Sequence, residues 1–190
     1  LVLAAIVPLI LVGTISIRRG IDAVGQTAQQ NLEVIAQATG ARLDEVFLQT
    51  QRLQVVIAAA EIAVEACSAS PDQRKDLLIP VQNRLNALVA SDPDLALVYM
   101  ADANGICMVS TSPNMVGRDY KIRDYMRAAL QGENFISDIA VGITTRQPGV
   151  FFAGPVKKPD GTIVGVIVLK LNGQVIDDVC RDVSNRKTDC

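Results

Sequence analysis

The chain has 190 residues, with 18 Lys+Arg against 20 Asp+Glu, and this near-neutral balance does not favour a nucleic-acid binder. Hydrophobic residues make up 49% of the chain, which is too many for a disordered protein. It contains no histidine, which excludes Ser-His-Asp and Cys-His catalysis and a histidine-ligated metal within these residues. None of the four cysteines forms a CxxC pair, so neither a zinc site nor any other cofactor is expected.

The N-terminal segment has the length and composition of a membrane span. Residues 1–17 carry no charge, and Arg18 and Arg19 end the run. As a helix this segment would extend roughly 25 Å, close to the thickness of a bilayer core. A signal peptide would have a small-residue cleavage site soon afterwards, whereas this run passes directly into a helical pattern. We therefore expect residues 1–19 to be an N-terminally truncated transmembrane anchor that holds the chain to the membrane.

A long amphipathic helix is predicted next. Apolar residues recur at spacings of three and four from Ile21 onward with one break, and no proline occurs between Pro8 and Pro71. A continuous helix from Ile21 to Glu65 would be roughly 68 Å long. We assign residues 20–67 to this stalk helix. Its single apolar stripe requires a partner, either a second domain, a second copy in a homodimer, or both.

A compact domain is predicted over residues 68–172. Ser70-Pro71 is typical of a helix start, with an interruption or kink at Pro80 and an end near residues 91–93. The apolar period then changes to that of strands, which we expect at 95–101, 106–111, 134–139, 150–156 and 162–171.

Other short elements complete the predicted domain. The turns DANG (102–105) and KKPDG (157–161) join two hairpins, and residues 122–132 form a short helix. Five antiparallel strands with helices segregated to one face define an α+β fold, with the long N-terminal helix packed on the sheet. Residues 173–190 are predicted to be an exit helix or linker toward a second module.

The segment VYMADANGICMVSTSPNMVGRDYKIRDYMRAALQG (98–132), followed by FFAGPVKKPDGTIVGVIVLK (151–170), resembles the Cache family of extracytoplasmic sensor domains. The most specific block combines D-x-x-G between two strands, S-x-x-x-x-G-R-D-Y and an R-x-Y helix. It is most similar to the membrane-distal module of double-Cache receptors, such as C4-dicarboxylate-sensing histidine kinases. The resemblance implies a PAS-like sheet in a bacterial inner-membrane receptor, with the residues after about 20 in the periplasm or extracellular space.

Charge gives a weak indication of an anion site. Between Asn114 and Asp160 there are seven Lys/Arg and five Asp/Glu, in a chain whose net charge is −2. A concave site with excess positive charge attracts anions, but solvated surface pairs account for a surplus of two equally well.

The resemblance assigns the principal site residues to the short helix and the segment before it. Arg123 lies where Cache sensors place an arginine that grips a ligand carboxylate through its planar fork of donors. Tyr125 matches the family's pocket tyrosine, and Tyr120 is a further candidate. The alternatives are a surface arginine paired with Asp119 or Asp124, and tyrosines that belong to the core.

Further candidates lie in the loop that would face this helix. Thr144 and Thr145 offer hydroxyls to a carboxylate and Arg146 offers charge, although a plain solvent-exposed loop explains them equally well.

Two candidates lie on the strand 150–156 and at its end. Phe152 and Ala153 are expected on the sheet floor beneath the ligand, with Phe151 on the opposite face. Lys157 resembles a lysine that holds the second carboxylate in dicarboxylate sensors, or it is a turn residue beside Lys158.

Two departures from the family pattern bear on the ligand. Amino-acid-binding Cache modules place an aspartate near the end of the last strand, where this chain has Lys170, and they favour R-x-W-Y, where this chain has Arg123-Asp124-Tyr125-Met126. Both departures favour a carboxylate or dicarboxylate over an amino acid. We therefore predict a ligand-sensing domain for a small organic anion that signals through the long helix.

Three alternatives compete with this prediction: an amino-acid sensor, a ligandless dimerisation or adaptor module, and an enzyme. Enzymatic activity is not predicted, because Cys107 lies in an apolar strand without a histidine.

Overall fold

The structure is a computed structural model that describes residues 30, 32–141, 147–176 and 178. The chain divides into two units, one of Leu1–Arg42 with Cys180–Cys190 and one of Leu43–Val179. The described residues of the first unit are helical. The predicted anchor, the start of the stalk and the end of the exit helix lie outside the described residues. No helix within the described ranges is long and apolar enough to cross a bilayer.

The second unit begins with three helices. Helix α1 covers residues 32–58, of which 43–58 belong to this unit, α2 covers Glu61–Ser68 and α3 covers Pro71–Ser91. Helix α3 begins one residue after Ser70, as predicted, and continues through Pro80 to its end.

The predicted stalk helix is interrupted at Ala59 and Ala60, where Ala60 has an extended backbone with φ −66° and ψ 131°. The prediction that one uninterrupted helix extends to residue 67 is therefore wrong. On an uninterrupted helix Ala58 and Ala63 would point about 140° apart. Both are buried in the same core, so the break allows α1 and α2 to face the sheet together.

The sheet has six antiparallel strands, β1 Leu95–Asp102, β2 Cys107–Ser110, β3 Phe135–Ile136, β4 Ala140–Val141, β5 Pro148–Lys157 and β6 Ile163–Asn172. Their order is β2-β1-β6-β5-β3, and β4 also pairs with β5. The long strands β1, β6 and β5 form the centre. This confirms the predicted α+β, PAS-like class, with six strands in place of five.

The extra strand arises because the strand predicted at 134–139 ends at Ile136, and Ala140–Val141, beyond that range, pairs with β5 as β4. The Ser137 N–H donates to the Phe151 carbonyl at 2.9 Å, and the Ser137 hydroxyl accepts from the Phe151 N–H at 2.9 Å. A side chain thus takes the place of a backbone partner in the ladder. The chain then leaves the register of β3 and pairs again as β4.

The sheet separates two cores. One face packs under α1, α2 and α3, and its strand residues include Val98, Met100, Phe152, Ile167 and Leu169. The other face packs under the short helix α4, Asp124–Leu130, and its strand residues include Tyr99, Ala101, Phe151, Val166 and Val168. The expectation that all helices lie on one face is therefore wrong, because α4 covers the opposite face.

Candidate ligand-binding site

The segment before α4 is fixed to the β1–β2 hairpin by backbone hydrogen bonds. The Gly117 N–H donates to the Cys107 carbonyl at 2.8 Å, and the Tyr120 N–H donates to the Gly105 carbonyl at 2.9 Å. Gly105 has φ +84°, and a Cβ there would lie 3.1 Å from the Lys121 backbone, so the turn requires glycine. The D-x-x-G and G-R-D-Y motifs thus act together, and they place Tyr120 and Arg123 at the start of α4.

Four aromatic side chains pack together where α4 meets the sheet: Tyr99 and Phe151 from the strands, Tyr125 from α4 and Tyr120 from the segment before it. The Tyr99 hydroxyl donates to the Tyr125 hydroxyl at 3.3 Å, and the Tyr99 and Tyr120 ring centroids are 5.2 Å apart. The Tyr125 ring stacks on Phe151 with centroids 4.9 Å apart and an interplanar angle of 6°. Burial raises the pKa of Tyr99 and of Tyr125, so both hydroxyls remain protonated donors at neutral pH.

Two cationic side chains lie at this face. Arg123 immediately precedes α4 and is half-buried, and its Nε atom is buried without a hydrogen-bond partner. Lys170, on β6, is 1% exposed; its ammonium donates to the Gln147 carbonyl at 2.9 Å and lies 5.7 Å from the Phe151 ring centroid. Burial lowers the pKa of Lys170. A desolvated cation and an unsatisfied guanidinium N–H both favour an incoming anion.

A cleft of about 230 Å³ opens beside Arg123. It lies between the start of α4 and the segment that carries β3 and β4, and it is lined by Ile122, Arg123, Asp124, Tyr125, Phe135, Ser137, Asp138 and Ala140. Asp124 forms an exposed ion pair with Arg127. The cleft therefore offers a guanidinium and a tyrosine, together with the separate carboxylate of Asp138.

The structure brings two of the sequence-predicted residues together in this cleft, Arg123 and Tyr125. Tyr120 lies behind them against Tyr99. Lys157 does not line the cleft; its ammonium donates to the Gly132 carbonyl at 3.1 Å, beyond the end of α4. The predicted loop residues Thr144, Thr145 and Arg146 lie outside the described residues.

Phe152 does not lie on the sheet floor beneath the ligand, where the sequence analysis expects it. Phe152 packs against Phe47 of α1 in an edge-to-face arrangement, with centroids 5.7 Å apart. It therefore lies on the face of the sheet opposite Arg123. Adjacent residues of a strand point to opposite faces, so Phe151 and Ala153 occupy the floor of the site.

Tyr99, Phe151 and Lys170 were not among the predicted site residues. The sequence does indicate that Lys170 is unusual, because a lysine within the apolar run VIVLKL has either to reach solvent or to be buried with a polar partner. Phe151 pairs with Lys170 across β5 and β6. The sequence analysis names its neighbour, Phe152, as the site residue.

Two features bear on reactive chemistry in the described residues, the Cys107 thiol and the grouping of metal-ligating side chains. Burial raises the pKa of the Cys107 thiol to about 12, which leaves it protonated and unreactive at neutral pH. No group of three or more His, Cys, Asp or Glu in the described part of the chain is placed to hold a metal ion.

No family model and no curated protein sequence matches the chain, but solved structures do. The sensor domain of the Vibrio cholerae histidine kinase DctB is 22% identical, with a TM-score of 0.69, over 84% of this chain and 60% of that one. The Escherichia coli DcuS sensor domain is 15% identical, with a TM-score of 0.61, over 73% and 96%. The ligand-binding domain of the Campylobacter jejuni chemoreceptor Tlp3, in complex with 4-methylisoleucine, is 18% identical, with a TM-score of 0.63, over 76% and 58%.

These likenesses define the fold, which is that of Cache-type sensor domains and agrees with the sequence resemblance. The chain spans less than two thirds of the DctB and Tlp3 domains. All three neighbours are sensor or ligand-binding domains rather than catalytic ones.

Proposed function

We propose that this chain is the extracytoplasmic ligand-sensing part of a bacterial transmembrane signalling receptor, and that it binds a small organic anion, a carboxylate or dicarboxylate. The main supporting observation is the buried Arg123 Nε, which has no hydrogen-bond partner and belongs to a residue that lines one cleft together with Tyr125. In this proposal residues 1–19 anchor the chain in the inner membrane. Residues 173–190 lead toward a second module.

The site chemistry suits a carboxylate. Arg123 offers parallel N–H donors to two carboxylate oxygens, and the protonated Tyr125 hydroxyl adds a third donor. Lys170 is better placed than Lys157 to attract a second carboxylate, because it lies on the same face of the sheet as Tyr125. Thr144, Thr145 and Arg146 remain proposed ligand-binding residues, as the sequence predicts.

A second candidate ligand is an amino acid, and Asp138 favours it. Its carboxylate lines the same cleft as Arg123, so the pair is able to receive the ammonium and carboxylate groups of a zwitterion. The Tlp3 domain, whose fold this chain shares, is in complex with an amino-acid derivative.

Strand β5 offers a route from the site to the helical layer. Phe151 stacks on Tyr125 at the site, and the adjacent Phe152 packs against Phe47 of α1. A ligand that binds one arrangement of Tyr125 more tightly would shift the equilibrium toward it. We propose that this shift reaches α1 through the two phenylalanines.

Thermal unfolding of the 190-residue chain in mild detergent tests the proposal against panels of carboxylates, dicarboxylates, amino acids and amines. A native-state ligand at 100 times its Kd adds about 2.7 kcal/mol of stability, which raises the melting temperature measurably. We expect carboxylates or dicarboxylates to produce the shift. A shift with amino acids alone would support the second candidate, and no shift with any compound would favour a ligandless dimerisation or adaptor module.

A further inference from the structure

The three tyrosines of the chain lie together on the face of the sheet that α4 covers. Tyr99 is 0% exposed, and of the three only Tyr125 lines the Arg123 cleft. A phenolic hydroxyl brings one proton that requires an acceptor and an oxygen that can accept. A phenylalanine at position 99 would fill the same core without that requirement, so the Tyr99 hydroxyl requires an explanation.

The Tyr99 hydroxyl has one hydrogen-bond partner among the described residues. This partner is the Tyr125 hydroxyl, and the two oxygens are 3.3 Å apart. A buried hydroxyl proton without an acceptor is costly, and the Tyr125 oxygen is the one described acceptor within reach of the Tyr99 proton. Tyr99 is therefore the donor of this pair and Tyr125 is the acceptor.

The direction of this hydrogen bond decides what Tyr125 offers to a ligand. The Tyr125 oxygen already accepts from Tyr99, and no described group accepts the Tyr125 proton. The stacked contact with Phe151 fixes the Tyr125 ring, so the hydroxyl proton can change direction only by rotation about the C–O bond. Because Tyr125 lines the cleft, a ligand there can supply the missing acceptor.

The electrostatic surroundings strengthen Tyr125 as a donor. Burial raises the pKa of Tyr125, while the hydrogen bond from Tyr99 and the positive charge of Arg123 lower it. Both of the lowering effects stabilise negative charge on the Tyr125 oxygen, and they therefore polarise its O–H bond. Burial keeps the pKa of Tyr99 well above its ordinary value, so Tyr99 keeps the proton that it donates.

We propose that Tyr99 is a positioning residue of the ligand site, which donates to Tyr125 and so holds the Tyr125 hydroxyl as a donor toward the cleft. The ligand group at Tyr125 is then an acceptor, such as a carboxylate oxygen, and an ammonium group is rejected there. A zwitterion would place its carboxylate, and not its ammonium group, at Tyr125. This inference rests on the proposed function and adds a buried residue that selects which end of the ligand meets Tyr125.

A double-mutant cycle on the two hydroxyls tests the inference. Sodium acetate replaces sodium chloride at constant ionic strength, and the Arg123 Nε–H signal is followed by NMR in the ¹⁵N-labelled 190-residue chain. The wild type, Tyr99→Phe, Tyr125→Phe and the double variant are compared, and each substitution removes one oxygen and no carbon. We expect Tyr99→Phe to weaken acetate binding about fivefold in the wild-type background. In the Tyr125→Phe background the same substitution should change the affinity by less than about twofold, because Tyr99 acts through the Tyr125 hydroxyl.

The control is Val168→Ala, because Val168 pairs with Tyr99 across β1 and β6 in the same core. This variant loses stability without changing either hydroxyl, and it should bind acetate within about twofold of the wild type. Unchanged affinity in Tyr99→Phe would overturn the inference and leave the proposed function standing. An equal loss in both backgrounds, or in Val168→Ala, would also overturn it, because Tyr99 would then act through core stability. If the Arg123 Nε–H signal of the wild type showed no saturable shift, the proposed function itself would be contradicted, and the inference with it.

Discussion

At the scale of single residues, substitutions of Phe151 and Phe152 should have different effects, one on ligand affinity and the other on stability. Phe151→Leu removes the ring stacked under Tyr125, and we expect ligand affinity to fall roughly fivefold, equivalent to about 1 kcal/mol. Phe152→Leu removes the contact with Phe47 and should lower the free energy of unfolding by about 1–2 kcal/mol, with affinity unchanged. Titration calorimetry and urea denaturation of both variants measure the two effects. Equal losses of affinity would contradict the assignment of the two faces.

Lys170 makes stability depend on pH in a predictable direction. Burial lowers its folded-state pKa below the ordinary value of 10.5, so the unfolded chain binds more protons between the two pKa values. This residue's contribution to the free energy of unfolding therefore rises with pH through that window. Lys170→Met removes this pH-dependent contribution. We expect the free energy of unfolding of the variant, relative to that of the wild type, to be highest near pH 7 and to fall toward pH 10.5.

Urea denaturation of both proteins at several pH values measures this difference. The buried tyrosines are present in both chains, so their own titration cancels in the comparison. A stability difference that stays constant from pH 7 to pH 10.5 would contradict a buried, charged Lys170.

At the residue scale, the sequence motif placed two side chains near each other, and their role in ligand binding stays a prediction. Arg123 and Tyr125 stand in an R-x-Y block at a helix start, and the structure places both in one cleft. Phe152 was misplaced because a strand's two faces differ by one residue, and the run VFFAGPV is apolar on both faces. The second core, on the opposite face of the sheet, makes both phenylalanines buried, so hydrophobicity alone could not choose between them.

At the scale of elements, α1 carries a set of exposed apolar side chains. Leu48, Val55 and Val56 are spaced seven and eight residues apart on one helix face, and Val56 is 67% exposed. We propose that a second copy of the chain covers these side chains and forms a homodimer. Val56→Glu should then convert a dimer to a monomer, as measured by light scattering on the purified chain in detergent.

The matched control is Val116→Glu, which places the same charge on an exposed valine of the segment before α4. We expect this variant to remain dimeric. A wild-type chain that is monomeric at high micromolar concentration would contradict the dimer, and dissociation of both variants would show that the effect is not specific to α1.

Two element boundaries could not be obtained from the sequence. The break at Ala59–Ala60 lies in a run of alanines, which are the strongest helix formers, so local propensity predicts continuity. The break follows from the sheet, which both helices must face. The early end of the strand predicted at 134–139 depends on the Ser137 hydroxyl and its partner Phe151, fourteen residues away, and no local pattern reveals that contact.

At the scale of the whole molecule, the sequence predicted the architecture well. The change from helical to alternating period, the two hairpin turns and the Cache-like block gave the order of elements, and the structure confirms an α+β sheet with a PAS-like fold. The element order alone predicted helices on one face, because the packing side of the seven-residue α4 depends on a loop that is hydrogen-bonded to the β1–β2 hairpin. The family resemblance, in contrast, implied a short helix over the open face of the sheet, where α4 lies.

The central claim is that Arg123 holds an organic anion, and one calorimetric titration tests it most directly. The compound that gives the largest thermal shift is titrated into the wild-type chain and into the Arg123→Ala and Arg118→Ala variants. Arg118→Ala is the matched control, because it removes an exposed arginine of the same segment. We predict that Arg123→Ala abolishes measurable binding with its fold intact, and that Arg118→Ala binds within twofold of wild type. Retained affinity in Arg123→Ala would contradict the account.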